Sequence, residues 1–242
     1  MTEFDKSHWA QKDFSNQYLE DSDIYIVERR RLFEILKSFY RCFLANKRNN
    51  KILDLGCGDG ILTQELLKID ESISATLVDG SEEMLTKAKK KLSGFEGIKY
   101  VRASFQELLK KDVVLSNFDF VVSSLAIHHL DRNEKKSLFE YIYSRLNSGG
   151  YFVNIDVVFS PTENLEGWYL LLWKEHIREV QTRLRLEGNY EDIVERYRSN
   201  TDNQPDTLTV QLKALESTGF EEVDCFYKYG IFTIFGGKKS GD

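Results

Sequence analysis

The sequence is poor in proline and cysteine, with two prolines and three cysteines among its 242 residues. It also lacks any run approaching the ~18 apolar residues that a membrane-spanning helix needs. The N-terminus carries charges and aromatic rings where a secretory signal has an apolar core. The cysteines are few, far apart and odd in number, which excludes a disulfide framework and a CxxC metal pattern. We therefore expect a cytoplasmic protein with no metal site and no contact with a membrane.

An excess of basic residues is also missing, since the formal net charge is −6. Proteins that bind nucleic acids usually carry a basic excess. The densest basic run, residues 87–91, falls on a predicted helix, where such runs are typical of a solvated face. These charges disfavour nucleic acid as a partner.

Apolar runs alternate with amphipathic segments through the first two thirds of the chain. The predicted strands are 51–55, 75–79, 98–102, 118–124 and 151–158, and the predicted helices are 24–45, 61–69, 81–93, 105–110 and 133–147. This alternation predicts right-handed crossovers and a mostly parallel sheet that is covered on both faces. In this doubly wound α/β class, ligands bind at the carboxyl ends of the strands.

The last third of the chain departs from that alternation. Residues 162–200 are predicted to be wholly helical and are rich in aromatic side chains. A predicted helix at 206–217 is followed by two short strands, 222–228 and 231–236, with Tyr229-Gly230 between them. That pair reads as a hairpin turn, so the last two strands are expected to be antiparallel.

The segment KILDLGCGDG, residues 51–60, places three glycines directly after a predicted strand. Gly56, Gly58 and Gly60 lack Cβ atoms, so backbone N–H groups in this turn can approach a ligand closely. The dinucleotide fingerprint GxGxxG fails here, because Ile61 stands where its last glycine belongs. Asp79 ends the next strand, 19 residues after Gly60, and its carboxylate can accept hydrogen bonds from both hydroxyls of a ribose. The turn therefore predicts a nucleoside-cofactor site, with a tight βα turn and a helix-capping aspartate as the alternative.

Four segments together resemble the class I S-adenosylmethionine (SAM)-dependent methyltransferase family. DLGCGDG, LVDGSEEML, SNFDFVVSSLAIHHL and LNSGGYFVNID are similar, in that order, to its glycine, acidic ribose, fourth-strand and fifth-strand motifs. The resemblance covers about residues 50–158 and agrees with the closing hairpin. It implies a Rossmann-like fold of seven strands with a helical cap, SAM as cofactor and S-adenosylhomocysteine as product. The implied regions are 1–48 (lid helices), 49–159 (SAM-binding core), 160–205 (helical cap) and 206–242 (helix and hairpin).

The resemblance also implies roles for individual residues of the core. Gly56 and Gly58 are expected at the methionine portion of SAM, and Asp54 is expected to steady their turn. Asp79 is expected to bind the ribose, and Met84 to lie near the adenine.

Further cofactor contacts are implied outside the glycine turn. Ser104 stands where the family often has an acidic residue, and its hydroxyl is expected to accept a hydrogen bond from the adenine amino group beside Phe105. The Ser123 carbonyl is expected to face the SAM ammonium. In the lid, Tyr25 is expected to cover SAM and Arg30 to pair with its carboxylate, with Arg29 as the alternative.

Methyl transfer from a sulfonium is an in-line displacement that needs alignment and, for some acceptors, a base. Residues 123–130 lack the Asn/Asp-Pro-Pro-aromatic tetrad of the family's adenine and glutamine methyltransferases, which disfavours those acceptors. His128 is a candidate base, with packing or capping as the alternative. Asp156, at the end of the fifth strand, is a second candidate, with loop capping as the alternative.

The aromatic-rich segment 160–205 lies where family members carry a substrate cap. We expect most of its aromatic rings to pack in the core and one or two to line a pocket for an apolar or aromatic acceptor. The predicted function is methylation of a small molecule at O, N or C. Alternatives are an RNA or protein acceptor, a SAM-binding protein without transfer activity, and a SAM-modifying enzyme. The same aromatic segment also leaves a homodimer open.

Overall fold

The computed structural model describes residues 19, 21–110, 115–188 and 190–241. The first 18 residues of the predicted lid, and residue 20, lie outside the described residues. None of the helices in the described part of the chain combines the length and apolar character that crossing a membrane requires.

A single mixed sheet organises the described residues. Its strands are β1 Lys51–Leu55, β2 Ser74–Asp79, β3 Ile98–Arg102, β4 Phe118–Ser124, β5 Leu146–Val157, β6 Phe220–Tyr229 and β7 Phe232–Lys239. Their order in the sheet is β3-β2-β1-β4-β5-β7-β6. The first five strands are parallel, and β7 is antiparallel to both β5 and β6. The predicted seven-stranded fold with a closing antiparallel hairpin is confirmed.

Helices cover both faces of this sheet. They are α1 Arg29–Phe43, α2 Ile61–Leu67, α3 Glu82–Lys91, α4 Phe105–Leu109, α5 Arg132–Arg145, α6 Glu163–Leu184, α7 Asp192–Ser199 and α8 Leu208–Thr218. Side-chain caps start several of them: Ser81 accepts a hydrogen bond from the Met84 backbone, and Asp131 forms a capping box with Glu134. A short 3-10 helix at Ile127–His129 follows β4.

Alternate residues along each strand supply two apolar layers. Ile52 of β1 and Phe120 of β4 pack on one face, under α1 and the cap helices. Leu53 and Val121, their immediate neighbours, pack on the other face against α5 and α8. Because both faces are covered, β1 and β4 are buried at nearly every position, as expected for central parallel strands.

Two predicted helices are interrupted in the structure. Residues 21–25 are helical, but Glu28 is left-handed (φ 52°, ψ 32°) and α1 begins only at Arg29, so the predicted helix 24–45 is broken. The prediction that 162–200 is wholly helical is also wrong. Arg185 turns left-handed (φ 54°) after α6, and α7 starts at Asp192. One residue in this conformation ends the i→i−4 hydrogen-bond ladder, so the cap is a pair of helices.

The strand predicted at 151–158 begins earlier, at Leu146, directly after α5 ends at Arg145. Leu146 pairs with Phe118, and the register shifts before the pairing resumes between Tyr151 and Phe120. A Cβ at Gly150 would meet the Asp119 carbonyl oxygen at 3.0 Å. The glycine pair that was expected to separate helix from strand therefore permits an irregular strand entry and close backbone contact.

Candidate active site

Two adjoining cavities open at the carboxyl ends of the parallel strands. The larger, about 300 Å³, lies beside the ends of β1, β2 and β4, and we call it the cradle cavity. The smaller, about 170 Å³, lies under the cap helices, and we call it the cap cavity. Ile26, Leu125 and His129 line both, so the two cavities meet at these side chains.

The glycine turn after β1 forms the floor of the cradle cavity. Gly56 and Gly58 both have left-handed backbones (φ +64° and +53°). A Cβ at Gly56 would lie 2.5 Å from the Ala126 Cβ, whereas a Cβ at Gly58 would meet nothing within 4 Å. Gly56 thus allows two loops to pack, and Gly58 leaves the backbone bare toward the cavity.

Asp79 joins the glycine turn to the end of β2. Its Oδ2 accepts a hydrogen bond from the Gly58 backbone N–H at 2.9 Å, and its Oδ1 accepts one from Ser81 N–H at 2.8 Å. Burial raises the pKa of the carboxyl, and these two hydrogen bonds oppose that rise. Each carboxylate oxygen can accept a second hydrogen bond, so Asp79 can still receive ribose hydroxyls.

Asp54 is a buried carboxylate on the same cavity wall. Thr63 donates its hydroxyl to Asp54 Oδ2 at 2.7 Å. Burial raises the pKa of Asp54 to about 7, and the hydrogen bonds from Thr63 only partly offset this effect. No cationic side chain among the described residues forms an ion pair with it, so the cavity suits a ligand that brings a positive charge.

Met84, Ser104 and Phe105 line the far end of the cradle cavity, as expected for an adenine pocket. The expected acceptor role of Ser104 stays a prediction. Its hydroxyl oxygen accepts the Glu107 backbone N–H at 3.2 Å, and the Glu107 carboxylate accepts the Ser104 N–H at 2.7 Å. This capping box starts α4 and uses one lone pair of the oxygen, so a second lone pair and the O–H remain for a ligand.

The Ser123 carbonyl was expected to face the SAM ammonium, but Ser123 is fully buried and does not line the cradle cavity. Its hydroxyl donates to the Leu55 carbonyl at 2.7 Å. The β4 end reaches the cavity wall one residue later, at Ser124 and Leu125. Leu125 has a positive φ of 51° that is unusual for a branched side chain. Its backbone N–H donates to the Ile155 carbonyl at 2.8 Å, which holds the strained turn against β5.

Both lid residues lie elsewhere than expected. Arg30 is exposed and does not line the cradle cavity. The alternative, Arg29, lines this cavity and forms an ion pair with Asp23 at 2.5 Å. Tyr25 lines the cap cavity instead, and its carbonyl accepts the Trp173 indole N–H at 2.6 Å. The break at Glu28 rotates these positions relative to the continuous helix that was expected.

The two candidate catalytic residues form a buried pair. His128 Nδ1 lies 2.6 Å from Asp156 Oδ1, and Asp156 is completely buried. Asn154 and the Val157 backbone also donate to the Asp156 carboxylate, at 3.2 and 3.0 Å. Because a carboxylate only accepts, this pairing assigns the proton to His128 Nδ1 and leaves Nε2 as an acceptor. His128 lines the cap cavity, so the pair can serve as a base there.

His129 stands at the junction of the two cavities, with its ring centroid 4.0 Å from that of His128. Its Nδ1 lies 3.1 Å from the Asp202 carbonyl oxygen. Burial, followed by the neighbouring His128, holds the pKa of His129 well below its usual value, so the ring is neutral near pH 7. This junction role was not predicted, although the histidine pair itself marked the segment.

Aromatic residues from distant parts of the chain wall the cap cavity. Trp173 of α6 makes edge contacts with Tyr197 of α7 at 5.4 Å and with Phe232 of β7 at 5.3 Å between ring centroids. Phe232 was missed, because nothing in the sequence of the hairpin separates a cavity-lining residue from a core residue. The prediction that one or two cap aromatics face a pocket agrees with the positions of Trp173 and Tyr197.

Sequence and structure comparisons agree with this geometry. Residues 52–150 match the methyltransferase domain family. Carboxy-S-adenosyl-L-methionine synthase of Nautilia profundicola is 24% identical over 204 residues, which cover 84% of this chain and 80% of that protein. An O-methyltransferase family protein from Burkholderia thailandensis has the same fold at a TM-score of 0.68 and 11% identity. That match covers 98% of this chain and 63% of the Burkholderia chain, so this chain spans less than two thirds of its length.

A third likeness concerns a structure with a bound product. Magnesium protoporphyrin IX methyltransferase from Synechocystis PCC 6803, solved with S-adenosylhomocysteine, matches at a TM-score of 0.61 and 15% identity. The match covers 90% of this chain and 86% of that one. The chain thus carries a methyltransferase domain over residues 52–150 and shares the fold of a methyltransferase that was solved with bound S-adenosylhomocysteine.

Proposed function

We propose that the protein transfers a methyl group from SAM, bound in the cradle cavity, to a small-molecule acceptor bound in the cap cavity. The observation that carries this proposal is the meeting of the two cavities beside the His128–Asp156 pair. A methyl acceptor must lie in line with the donor, and adjoining sites provide that alignment.

The residues of the cradle cavity suit SAM. Gly58 leaves room for a ligand to approach its backbone, and Asp79 has acceptor capacity for the ribose. Asp54 supplies a buried carboxyl group whose ionised form is stabilised by a cationic ligand. SAM, when bound, supplies a methyl group activated on a positively charged sulfur.

The cap cavity supplies what an acceptor with an ionisable proton needs. Asp156 holds His128 in one orientation, and His128 Nε2 can take the proton that the acceptor loses. Acceptor atoms of O, N or C type are all compatible with this arrangement, and water is displaced by the apolar wall.

An RNA acceptor is less well supported by the contacts of the cap. Such an acceptor requires a basic surface, but three of the five arginines in residues 160–205 form ion pairs. Arg178 bonds Glu191 at 2.6 Å, and Arg196 and Arg198 lie within 3.6 Å of Asp192 and Glu195. These pairs reduce the positive field that phosphate contacts need.

A SAM-modifying activity is the second candidate, because the relative from Nautilia profundicola is named a carboxy-SAM synthase and aligns along most of this chain. Such an enzyme would change SAM itself in the same cradle cavity. Mass spectrometry of the nucleoside product separates the two activities, since methyl transfer yields S-adenosylhomocysteine and SAM modification yields a heavier nucleoside.

Titration calorimetry with SAM and S-adenosylhomocysteine tests the cradle assignment. We expect both to bind and Asp79→Ala to abolish measurable binding. Glu82→Ala is the matched control, because it removes an exposed carboxylate three residues away that does not line the cavity. Unchanged affinity in Asp79→Ala would refute the assignment.

A screen of small molecules with methyl-labelled SAM then tests transfer. We expect label to appear in a small acceptor and S-adenosylhomocysteine to accumulate with it. Normal SAM binding without transfer to any acceptor class would instead favour a SAM-binding protein without transfer activity.

A further inference from the structure

We infer that the cap cavity takes a neutral acceptor built on one aromatic ring with a ring hydroxyl, that is, a simple phenol, and that Tyr197 selects it. This inference rests on the proposed function and names its substrate class. Four properties of the cap cavity support it: size, wall chemistry, charge and the direction of its hydrogen-bonding groups.

Size limits the acceptor to one ring. The cap cavity measures about 170 Å³. A cavity of about 150 Å³ in a protein core holds a benzene molecule, whereas sites for drug-sized ligands begin near 300 Å³. A single substituted ring fits this volume with the room that benzene has in such a cavity, whereas a fused two-ring system would have to pack much more tightly.

The wall favours a flat ring. Trp173 is buried and stands nearly perpendicular to Tyr197 and to Phe232, at 79° and 82°. The Trp173 indole N–H is already donated to the Tyr25 carbonyl, so the indole is fixed in place and offers the cavity only apolar surface. Ring edges and faces held in this way match an aromatic guest better than a puckered aliphatic one.

The cavity has no net charge to offer an ionic acceptor. Apart from its histidines, the charged residues on the described wall are Asp21 and Arg196, which have opposite signs. Arg196 also lies 3.4 Å from Asp192. A neutral acceptor therefore enters without leaving an uncompensated charge under the cap.

The hydrogen-bonding groups require a donor on the acceptor, and the acidity of a phenol favours an O–H in that role. His128 Nε2 is an acceptor because Nδ1 faces Asp156, so the ligand must bring a donor. A phenol gives up its proton about as readily as tyrosine, near pKa 10, and far more readily than an aliphatic alcohol. A neutral imidazole can therefore assist a phenol during methyl transfer.

Tyr197 supplies the opposite kind of group. It lines the cavity, and its hydroxyl has no hydrogen-bond partner among the described residues. Burial, followed by the negative charges of Asp156 and Glu166, raises the pKa of Tyr197, so its hydroxyl remains a donor at neutral pH. A donor left unpaired beside the base is placed to hydrogen-bond the acceptor.

In the resulting step, the phenolic proton passes to His128 Nε2 while the phenolic oxygen forms a bond to the methyl carbon. The sulfonium S–C bond breaks, and its electron pair stays on sulfur. The products are an aryl methyl ether, S-adenosylhomocysteine and a protonated His128, which returns its proton to solvent.

Three probes test the inference: p-cresol, its saturated counterpart 4-methylcyclohexanol, and the two-ring 2-naphthol. Binding is followed by fluorescence in a Trp9→Phe/Trp168→Phe variant, which leaves Trp173 as the sole tryptophan. Trp168 is 53% exposed, so its removal disturbs little packing. Calorimetry on the unmodified protein repeats the measurement in case this variant fails to fold.

We expect p-cresol to bind at least about tenfold more tightly than 4-methylcyclohexanol and 2-naphthol, and to accept label from methyl-labelled SAM. Tyr197→Phe, which keeps the ring, should weaken p-cresol binding about fivefold, the usual effect of one hydrogen bond, and leave SAM affinity unchanged. Equal binding of the saturated or two-ring probe, or no binding of p-cresol, would overturn the inference. Transfer to a non-aromatic acceptor would refute the assignment of a phenol as substrate but would leave the proposed methyltransferase function intact. Absence of SAM binding would refute both.

Discussion

The cradle cavity and the cap cavity are built in different ways. The cradle cavity is walled by short stretches at the ends of successive strands, such as residues 56–59 at the end of β1 and 79–81 at the end of β2. The cap cavity gathers single side chains from remote segments, among them Tyr25, Trp173, Tyr197 and Phe232. The first therefore depends on local backbone geometry, whereas the second depends on tertiary packing.

This difference separates what the fold fixes from what can vary. The cradle cavity presents backbone groups and one or two carboxylates, which any member of the fold can provide. The cap cavity presents side chains on helices added to the fold, where substitutions change the acceptor without disturbing the sheet. Substitutions that line the cradle cavity and substitutions that line the cap cavity should therefore have different effects on SAM binding and on turnover.

The largest effect is expected on turnover, from substitutions of the His128–Asp156 pair beside the cap cavity. His128→Ala and Asp156→Ala should each lower turnover about 100- to 10,000-fold on the acceptor found by screening, because both remove the positioned base. SAM affinity should change little, since neither residue lines the cradle cavity. Steady-state rates and calorimetry on the same preparations give the two measurements.

The double variant sharpens this result. Since the two residues act as one unit, His128→Ala/Asp156→Ala should be no slower than the poorer single variant. His176→Ala is the matched control, a cap-helix histidine that lines neither cavity. Full turnover in both single variants would show that alignment alone carries the rate.

The same contrast explains how much was predictable from the sequence. The strand order, the glycine turn and Asp79 follow from local patterns, and they agree with the structure because each is set by neighbours in the chain. Arg30 and Tyr25 were misplaced because the resemblance implied a continuous lid helix, and a single left-handed residue, Glu28, breaks that helix.

Residues that depend on tertiary contacts could not be predicted in the same way. The helix α6 ends where Arg185, a residue type without turn propensity, adopts a left-handed backbone, and Gly188 comes only three residues later. Phe232 reaches the cap cavity only because β7 lies beside β5. The pairing of His128 with Asp156 links residues 28 positions apart through the parallel pairing of β4 and β5.

The next largest effect is expected at the ion pair between Lys135 and Asp206. Lys135 of α5 is buried, only 2% of its side chain being exposed, and it pairs with Asp206 at 3.1 Å. It also donates to the Gln204 carbonyl. Asp206→Ala leaves this ammonium buried without a carboxylate, so we expect a loss of about 3 kcal/mol in the free energy of unfolding.

Arg132→Ala is the matched control, because Arg132 also pairs with Asp206 but its side chain is 72% exposed. Its removal should cost less than about 1 kcal/mol in urea unfolding. Because Gln204 lines the cradle cavity, Asp206→Ala should also weaken SAM binding. Equal losses in the two variants would show that the buried ammonium is not what holds this segment.

A smaller effect on stability should distinguish Gly56, which allows two loops to pack, from Gly58, which leaves room for a ligand. Gly56→Ala should lower the free energy of unfolding by about 2 kcal/mol, because it adds a contact of 2.5 Å to left-handed strain. Gly58→Ala should cost about 1 kcal/mol from strain alone, since nothing lies within 4 Å of its Cβ. Both should weaken SAM binding. Thermal and urea unfolding give the stabilities, and a larger loss for Gly58→Ala would contradict the assigned roles.

The smallest effect concerns the charge of Asp54. Burial raises the pKa of Asp54 from 3.8 to about 7, so the folded protein without ligand holds a proton that the unfolded chain releases. Its contribution to stability is present below pH 4 and is lost as the pH rises through 7. A cationic ligand reverses this preference, because it favours the ionised carboxylate.

SAM should therefore bind about fivefold more tightly at pH 7.0 than at pH 6.0, a range below the pKa of about 7.7–8.0 that is usual for an α-amino group. Calorimetry in two buffers with different ionisation enthalpies should detect proton release on binding near pH 6.5. Asp54→Asn removes the titrating group but keeps an oxygen that can accept from Thr63, so its SAM affinity should be independent of pH across this range. If the SAM affinity of the unmodified protein is also independent of pH across this range, Asp54 is already ionised before SAM binds. The cradle cavity then attracts the cation by a permanent negative charge.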